Sequence, residues 1–353
     1  MKKPLPFGKY LLLDRIAIGG MAEVFVAVVP GDEAPGKLYA VKRILPSLAE
    51  DSAFLTMFLD EARITAQLNH AAIVPVYELG KQSESYYIAM EYVPGQNLHA
   101  VLARQRSQGE LLPIPITAYI ASRLCDALDY AHRKHDAAGR PLHVVHRDVS
   151  PQNVLLSYDG EVRIIDFGIA QATTRAGASQ PEVLRGKFSY MSPEQVLGLP
   201  VDRRSDVFAV GAMLYEMLTG RKLFAAGSDL AVLEKVRNAE VRPPSRFNPA
   251  VPRTLDSIVL HALAREVPER TAWASELRDA LEPFVLGVGA SSVARLMAFL
   301  FAVELQQELT RAKRLSHSAD LMRVERNLPA PSEDEPGAHE GPVLRASPRG
   351  ELD

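Results

Sequence analysis

The chain has 353 residues, 47% of them hydrophobic and 24% charged, the make-up of a soluble globular protein with room for more than one packed core. A formal net charge of −3 gives no electrostatic pull toward nucleic acid, and a single cysteine, Cys125, excludes an internal disulfide. The opening Met1-Lys2-Lys3 lacks the apolar core of a signal peptide. The longest apolar stretch, residues 284–305, is broken by Arg295, two glycines and two serines, so neither a leader nor a membrane span is expected. The expectation is a cytoplasmic protein without a nucleic-acid partner.

Taken in chain order, residues 10–45 alternate, are rich in Val, Ile and Leu, and turn at Pro30-Gly31-Asp32 and Pro35-Gly36, which predicts strands. Residues 51–69 predict a helix, and 73–79 and 86–92 predict strands. From Pro113 onward helical periods take over at 116–135, 205–219, 229–238, 254–264 and 274–281. Cys125 falls on one face with Ile116, Ile120, Leu124 and Leu128, so it reads as a packing residue. A strand-rich first quarter and a helix-rich remainder predict an α+β chain of two lobes, with the crossing near residues 91–98. Residues 290–326 predict a further helical element, and 327–353, rich in Pro, Gly and Glu, predict a disordered tail.

The chemistry concentrates in HVVHRDVSPQNVLL, residues 143–156, where Asp148 and Asn153 stand five positions apart. Eighteen residues after Asp148, an apolar strand ends abruptly at Asp166 in Asp-Phe-Gly. Singly these are turn residues and a hairpin cap; together they are three oxygen-bearing side chains of the kind that suits Mg²⁺ bound with substrate phosphates. In AVKRIL, Lys42 lies within a β pattern, where a buried ammonium is costly unless paired. The helix at 51–69 offers the partner. Phe54, Phe58, Glu61, Thr65 and Leu68 follow helical spacing, so Glu61 projects from the apolar face.

HRDVSPQN, DFG and the later SPE resemble the catalytic loop, the metal-binding motif and the end of the activation segment of protein kinases. At least six motifs stand in the family's order from about residue 10 to 283. The resemblance implies a bilobal protein kinase fold. A small β-rich N-lobe (about 10–92) would carry one regulatory helix and precede a larger helical C-lobe (about 93–283). A helical C-terminal extension (284–326) and the tail would follow.

It also implies ATP and Mg²⁺, with Mn²⁺ as an alternative metal. Asp148 would accept or orient the substrate hydroxyl proton, Asn153 and Asp166 would hold the metal, and the Lys42–Glu61 pair would position the α- and β-phosphates. IAIGGMAEVFVA lies where the family's glycine-rich loop covers those phosphates, through Ile16, Ala17, Ile18, Gly19, Gly20, Met21, Ala22, Glu23 and Val24. Val24, Ala40 and Leu155 would line the adenine pocket, with Met90 as gatekeeper and Glu91 to Val93 as hinge. Glu194 of Ser-Pro-Glu would pair with Arg270, a tie that small-molecule phosphotransferases generally lack, so protein substrates are implied. Asp206 would hold the backbone around His146 and Arg147. The GGM loop and the HRDxxPxN form, without the arginines typical of tyrosine kinases, are similar to bacterial eukaryotic-like Ser/Thr kinases.

Three departures from the family pattern qualify what the resemblance implies. Ala17 and Ala22 replace two loop glycines, and since alanine resists positive φ a stiffer loop is expected. Ser150 stands where the family has lysine, and Lys187 where it has threonine. The expectation is a displaced cation, Lys187 supplying the charge while the Ser150 hydroxyl keeps a hydrogen bond. Arg147 implies a phosphorylated partner in the activation segment, with Thr173, Thr174 and Ser179 as candidates for autophosphorylation. The expected function is a serine/threonine protein kinase of bacterial signalling. The alternative, resting on the same departures, is a catalytically weak pseudokinase that binds nucleotide and acts as a signalling scaffold. Residues 290–326 are expected either to dock or dimerise, or to cap the lower lobe.

Overall fold

A computed structural model describes residues 4–19, 22–32, 37–45, 48, 51–83, 85–167 and 188–325, without the side chains of 52–54, 57 and 314–325. Two compact units share the chain. Unit 1 takes Met1–Gln67, Pro75–Val93 and Val303–Asp353, and unit 2 takes Leu68–Val74 and Pro94–Ala302. The predicted tail lies outside the described residues.

Unit 1 is built on a six-stranded antiparallel sheet. Its strands are β1 (Leu5–Phe7), β2 (Tyr10–Ile18), β3 (Ala22–Val28), β4 (Tyr39–Ile44), β5 (Val76–Gln82) and β6 (Ser85–Glu91), in the order β1-β2-β3-β4-β6-β5. Helix α1 (Ser52–Thr65) lies between β4 and β5 in the chain. Strand alternation sorts the side chains of β4: Tyr39 and Val41 share one face, Ala40, Lys42 and Ile44 the other. The first face joins a cluster of Phe7, Tyr10, Leu12 and Tyr87. Its rings meet edge-on, Phe7–Tyr87 at 5.2 Å and Tyr10–Tyr39 at 5.7 Å between centroids. Glu78 serves that cluster by accepting from the hydroxyls of Tyr10 at 2.7 Å and Tyr87 at 2.9 Å. The sheet begins earlier than residue 10, because the apolar Leu5–Phe7 segment folds back onto β2. Helix α1 ends at Thr65, short of the expected residue 69, so Leu68 is buried beyond the helix and not on its face.

Unit 2 carries the small sheet β7 (Gly95–Asn97), β8 (Val154–Ser157) and β9 (Val162–Ile164), in that order. Its helices are α2 (Leu98–Ser107), α3 (Ile114–His132), the short α4 (Pro193–Val196), α5 (Arg204–Thr219), α6 (Asp229–Asn238), α7 (Arg253–Ala262), α8 (Ala274–Leu281) and α9 (Ala290–Leu300). Each helix expected from 116 onward is present, with ends shifted by up to three residues. Helix α5 is buried from Ser205 to Thr219, which its nearly unbroken apolar run requires, and it stops at Gly220, whose φ of +69° most residues resist. Cys125 on α3 is fully buried and burial pushes its thiol pKa up, as befits a packing residue. Residues 68–74 belong to this unit because β9 claims them: Ile164 donates to the Ala72 carbonyl at 2.8 Å and Val74 to that of Ile164 at 3.1 Å.

The helical extension divides. Helix α9 rests on unit 2 through Gly160, where a Cβ would stand 1.8 Å from the Ala290 carbonyl oxygen. Arg104 adds to this seat, donating to the Leu300 carbonyl at 2.9 Å and lying 4.6 Å from the Phe301 ring centroid. The last helix, α10 (Ala302–Glu325), packs within unit 1. Among the described residues no helix is long and apolar enough to cross a membrane.

Candidate functional site

In unit 1 the register of the sheet collects the residues singled out for nucleotide. Val24 stands opposite Lys42, Glu23 opposite Arg43, and Ala40 opposite Met90, so Ala40 and Met90 form a small buried floor. Lys42 Nζ meets Glu61 Oε1 at 3.3 Å, with 15% and 14% of their side chains exposed. The pair inferred from helix spacing and the cost of a buried ammonium is thus formed. Glu23 is held on both oxygens, by Arg15 at 2.6 Å and Arg43 at 2.9 Å, which keeps its carboxyl below the usual range. Glu91 donates from its backbone to the Pro75 carbonyl at 3.1 Å, fixing the start of the 91–93 segment.

The glycine-rich stretch corrects one expectation. Ala17 and Ala22 sit in β2 and β3, and neither has positive φ, so alanine meets no backbone penalty there. Among the described residues a Cβ at Gly19 would meet the Ala22 carbonyl at an ordinary 3.7 Å. Ile16 and Ile18 are exposed. Gly20 and Met21 lie outside the described residues.

In unit 2 the residues of the 146–153 segment converge by hydrogen bonding. Asn153 Nδ2 donates to both the backbone carbonyl of Asp148, at 2.8 Å, and its carboxylate, at 2.9 Å. The Ile165 amide donates to the Asn153 carbonyl at 3.0 Å, which places Asp166 one residue from that contact. Asp166 has φ of +56° and Arg147 +64°, left-handed conformations that cost non-glycine residues about 1–3 kcal/mol each and persist where surrounding contacts enforce them. Leu155 on β8 pairs with Asn97 and Arg163.

The enforcing contacts radiate from Asp206, buried near the start of α5. It accepts from the backbone amides of His146 and Arg147, both at 2.8 Å, and meets His132 Nε2 at 2.8 Å. Burial alone would raise its pKa, but His132 and His146 outweigh burial and hold the carboxyl low. His146 is fully buried, and burial drives its pKa down. Its Nδ1 accepts from the Asp148 amide at 3.2 Å, so its Nε2 carries the proton toward the Ile165 carbonyl at 3.1 Å. A neutral imidazole thereby bridges the backbone before Asp148 and the backbone before Asp166. Phe167 is buried against it, with ring centroids 4.5 Å apart.

The Glu194–Arg270 tie is formed in full, Nη1 at 2.7 Å and Nη2 at 3.0 Å, with Ser205 donating to the same carboxylate. Gln195 extends it, capping α4 through Ser192 and donating to the Arg147 carbonyl at 2.8 Å. The Ser150 hydroxyl is buried and has no hydrogen-bond partner among the described residues. Lys187, Thr173, Thr174 and Ser179 lie outside the described residues.

Sequence reasoning also passed over Glu216. It is buried in α5, accepts from the Tyr190 hydroxyl and meets Arg106 at 3.4 Å, fastening the end of the Phe188–Tyr190 turn. Burial and then Glu216 push the Tyr190 pKa up. The available signal was one carboxylate inside an otherwise apolar helix, VFAVGAMLYEML.

As metal ligands, an amide oxygen and a carboxylate are hard donors. Too few to enclose a cation alone, they fit Mg²⁺, which is commonly held by one or two carboxylates plus phosphates and water. Among the described residues no group of three or more His, Cys, Asp or Glu stands ready to hold a metal without such help.

Comparison with known proteins agrees with this geometry. The family described as protein kinase domain matches residues 10–285. Tyrosine-protein kinase MasK of Myxococcus xanthus is 39% identical over 90% of this chain and 49% of its own length. Serine/threonine-protein kinase PrkC of Bacillus subtilis is 32% identical over 86% and 44% respectively. The chain therefore spans about half the length of the curated relatives it matches. The crystal structure of the Mycobacterium tuberculosis PknI kinase domain superposes with a TM-score of 0.61 at 27% identity, covering 80% of this chain and 99% of that one.

Proposed function

We propose, since the chain belongs to the protein kinase family, that it transfers the γ-phosphoryl of ATP to serine or threonine hydroxyls of proteins in bacterial signalling. The observation that carries this is the Asn153–Asp148 hydrogen bond with Asp166 anchored beside it. It orients one carboxylate toward a proton-accepting role, and the Asn153 amide oxygen and the Asp166 carboxylate are the groups of the right chemistry for metal. Asn153 and Asp166 would hold Mg²⁺, which when bound would supply charge neutralisation to the phosphates. Lys42, oriented by Glu61, takes the α- and β-phosphates. Asp148 takes or orients the hydroxyl proton, and the buried Asp206–His146 scaffold keeps its backbone in place. Such chemistry asks for placement and charge more than covalent help. Lys187 is proposed to supply the cation that Ser150 lacks, and Arg147 to receive a phosphate from Thr173, Thr174 or Ser179.

The name of one relative, a tyrosine-protein kinase at 39% identity, favours a second reading in which tyrosine is the acceptor. Incubation with γ-labelled Mg·ATP and phosphoamino-acid analysis, beside Asp148→Asn, decides between them. Label on serine and threonine that vanishes in the variant supports the proposal. Label on tyrosine alone moves the assignment to the second reading, and nucleotide binding without transfer returns the chain to a scaffold role.

A further inference from the structure

Helix α10 has a burial pattern that its sequence did not announce. Glu304, Leu305, Glu308 and Arg311 are half-covered while the residues between them are exposed, which is the spacing of one helix face laid against unit 1. That face sets Leu305 beside charged residues, while Val303 is 68% exposed and Leu309 46%. Among the residues with described side chains, a small set of charged hydrogen bonds ties this helix down.

Those bonds close on one residue of the 91–93 segment. The Tyr92 hydroxyl donates to Glu308 Oε2 at 3.0 Å and accepts from Arg311 Nη1 at 3.1 Å. Arg311 Nη1 also donates to Glu308 Oε2 at 3.0 Å, completing a triangle. The Nε of the same guanidinium lies 3.5 Å from Asp14 Oδ2. Asp14 is on β2, four residues before Ile18 in the glycine-rich stretch, and Tyr92 sits between Glu91 and Val93. One arginine thus touches both the strand leading to the phosphate loop and the segment assigned to the adenine edge.

We propose that α10 is a built-in effector of nucleotide binding, in which Glu308 and Arg311 act as positioning residues that hold Tyr92 and Asp14 so that the 91–93 segment and β2 are set for ATP. This rests on the kinase reading of the nucleotide segment. Charge-assisted bonds of this kind are strong enough to bias that segment and weak enough to be released, by a partner or by salt. Release weakens ATP binding while the residues of unit 2 remain untouched.

The test uses the full chain carrying Glu308→Ala, Arg311→Ala, Arg311→Lys or Gln307→Ala, the last an exposed control on the same helix. A fluorescent ATP analogue with Mg²⁺ reports binding, and KM and kcat report turnover. Loss of one charge-assisted hydrogen bond predicts an increase of about three- to tenfold in Kd and in KM for ATP for the two alanine variants, with a smaller change in kcat. Arg311→Lys recovers part of the effect, and Gln307→Ala matches wild type. A merely structural role would lower the melting midpoint and kcat together without this split. Wild-type Kd in both alanine variants overturns the inference. Should wild type bind the analogue but transfer no phosphate, the proposed reaction fails while the binding arm still decides the role of α10. Should it bind no nucleotide, both fall.

Discussion

Two ion pairs, one in each unit, carry the same charges in different surroundings. Lys42 Nζ and Glu61 Oε1 lie 3.3 Å apart, each side chain about one-seventh exposed. Arg270 and Glu194 meet through two contacts, with side-chain exposures of 0% and 5%, and every remaining direction is taken. Arg270 also donates to the carbonyls of Ala264, Arg204 and Arg265, and Ser205 donates to Glu194. A buried pair saturated in this way can only hold a segment in place, because opening it strands two charges away from water. A partly exposed pair with a longer contact keeps water within reach, so its ammonium can re-aim at a phosphate at lower cost. The same chemistry is thus structural in unit 2 and adjustable in unit 1.

The sharpest way to break this contrast is to truncate both cations. Arg270→Ala leaves Glu194 buried without its partner and should destabilise the chain by about 3–5 kcal/mol, read as a large drop in the urea midpoint. Lys42→Met should move that midpoint little, yet lower phosphoryl transfer by about 10²–10³-fold, in line with loss of one electrostatic contact to the transferring group. If Lys42→Met unfolds the protein as readily as Arg270→Ala, the distinction between the pairs is wrong.

The contrast also explains what was legible in the residues. Glu61 was readable as inward because its neighbours Phe58 and Thr65 share its helix face, and both are buried. Glu194, Arg270, Asp206, Asp148, Asn153 and Asp166 were readable because each sits in a short motif whose spacing the family repeats. Glu216 has no such motif, and from sequence alone a carboxylate in an apolar helix is as readily a surface residue. The alanines of the glycine-rich stretch misled for a related reason. Residue type suggests a backbone demand, but only φ shows whether position 17 or 22 makes one. Nor did periodicity divide the extension. Whether α9 and α10 pack on one unit or two depends on contacts such as Gly160 with Ala290 and Tyr92 with Glu308, which are remote in sequence.

Acid should separate the units next, with a smaller effect. Among residues with described side chains every histidine lies in unit 2, and burial lowers the pKa of His146, His70 and His99 there. A histidine held neutral when folded binds its proton near pH 6.5 once unfolded, so the unfolded state takes up more protons and stability falls as pH drops below about 6.5. The carboxylates act lower. Glu194 and Asp206 are held down when folded, so their contribution survives until pH falls below about 4. Trp273, the single tryptophan, sits in unit 2 and reports its unfolding. Its melting midpoint should decline between pH 7 and about 5.5. A flat midpoint across that range would mean that these histidines take up protons as readily when folded as when unfolded.

The smallest effect tests the least saturated group near Asp148. A buried hydroxyl without a partner forfeits about 1–3 kcal/mol of hydration, and alanine at the same place forfeits nothing of the kind. With Ser150 1% exposed and its Oγ unpartnered among the described residues, Ser150→Ala should be neutral or stabilising by up to about 1 kcal/mol in chemical denaturation. A loss of more than about 1 kcal/mol would mean that the hydroxyl does hold a partner. Lys187 is the group the displaced-cation proposal supplies for that place, so the double variant Ser150→Ala with Lys187→Ala, beside the two single variants, discriminates: effects on phosphoryl transfer that fail to add mean the residues touch, and additive effects mean the cation acts alone.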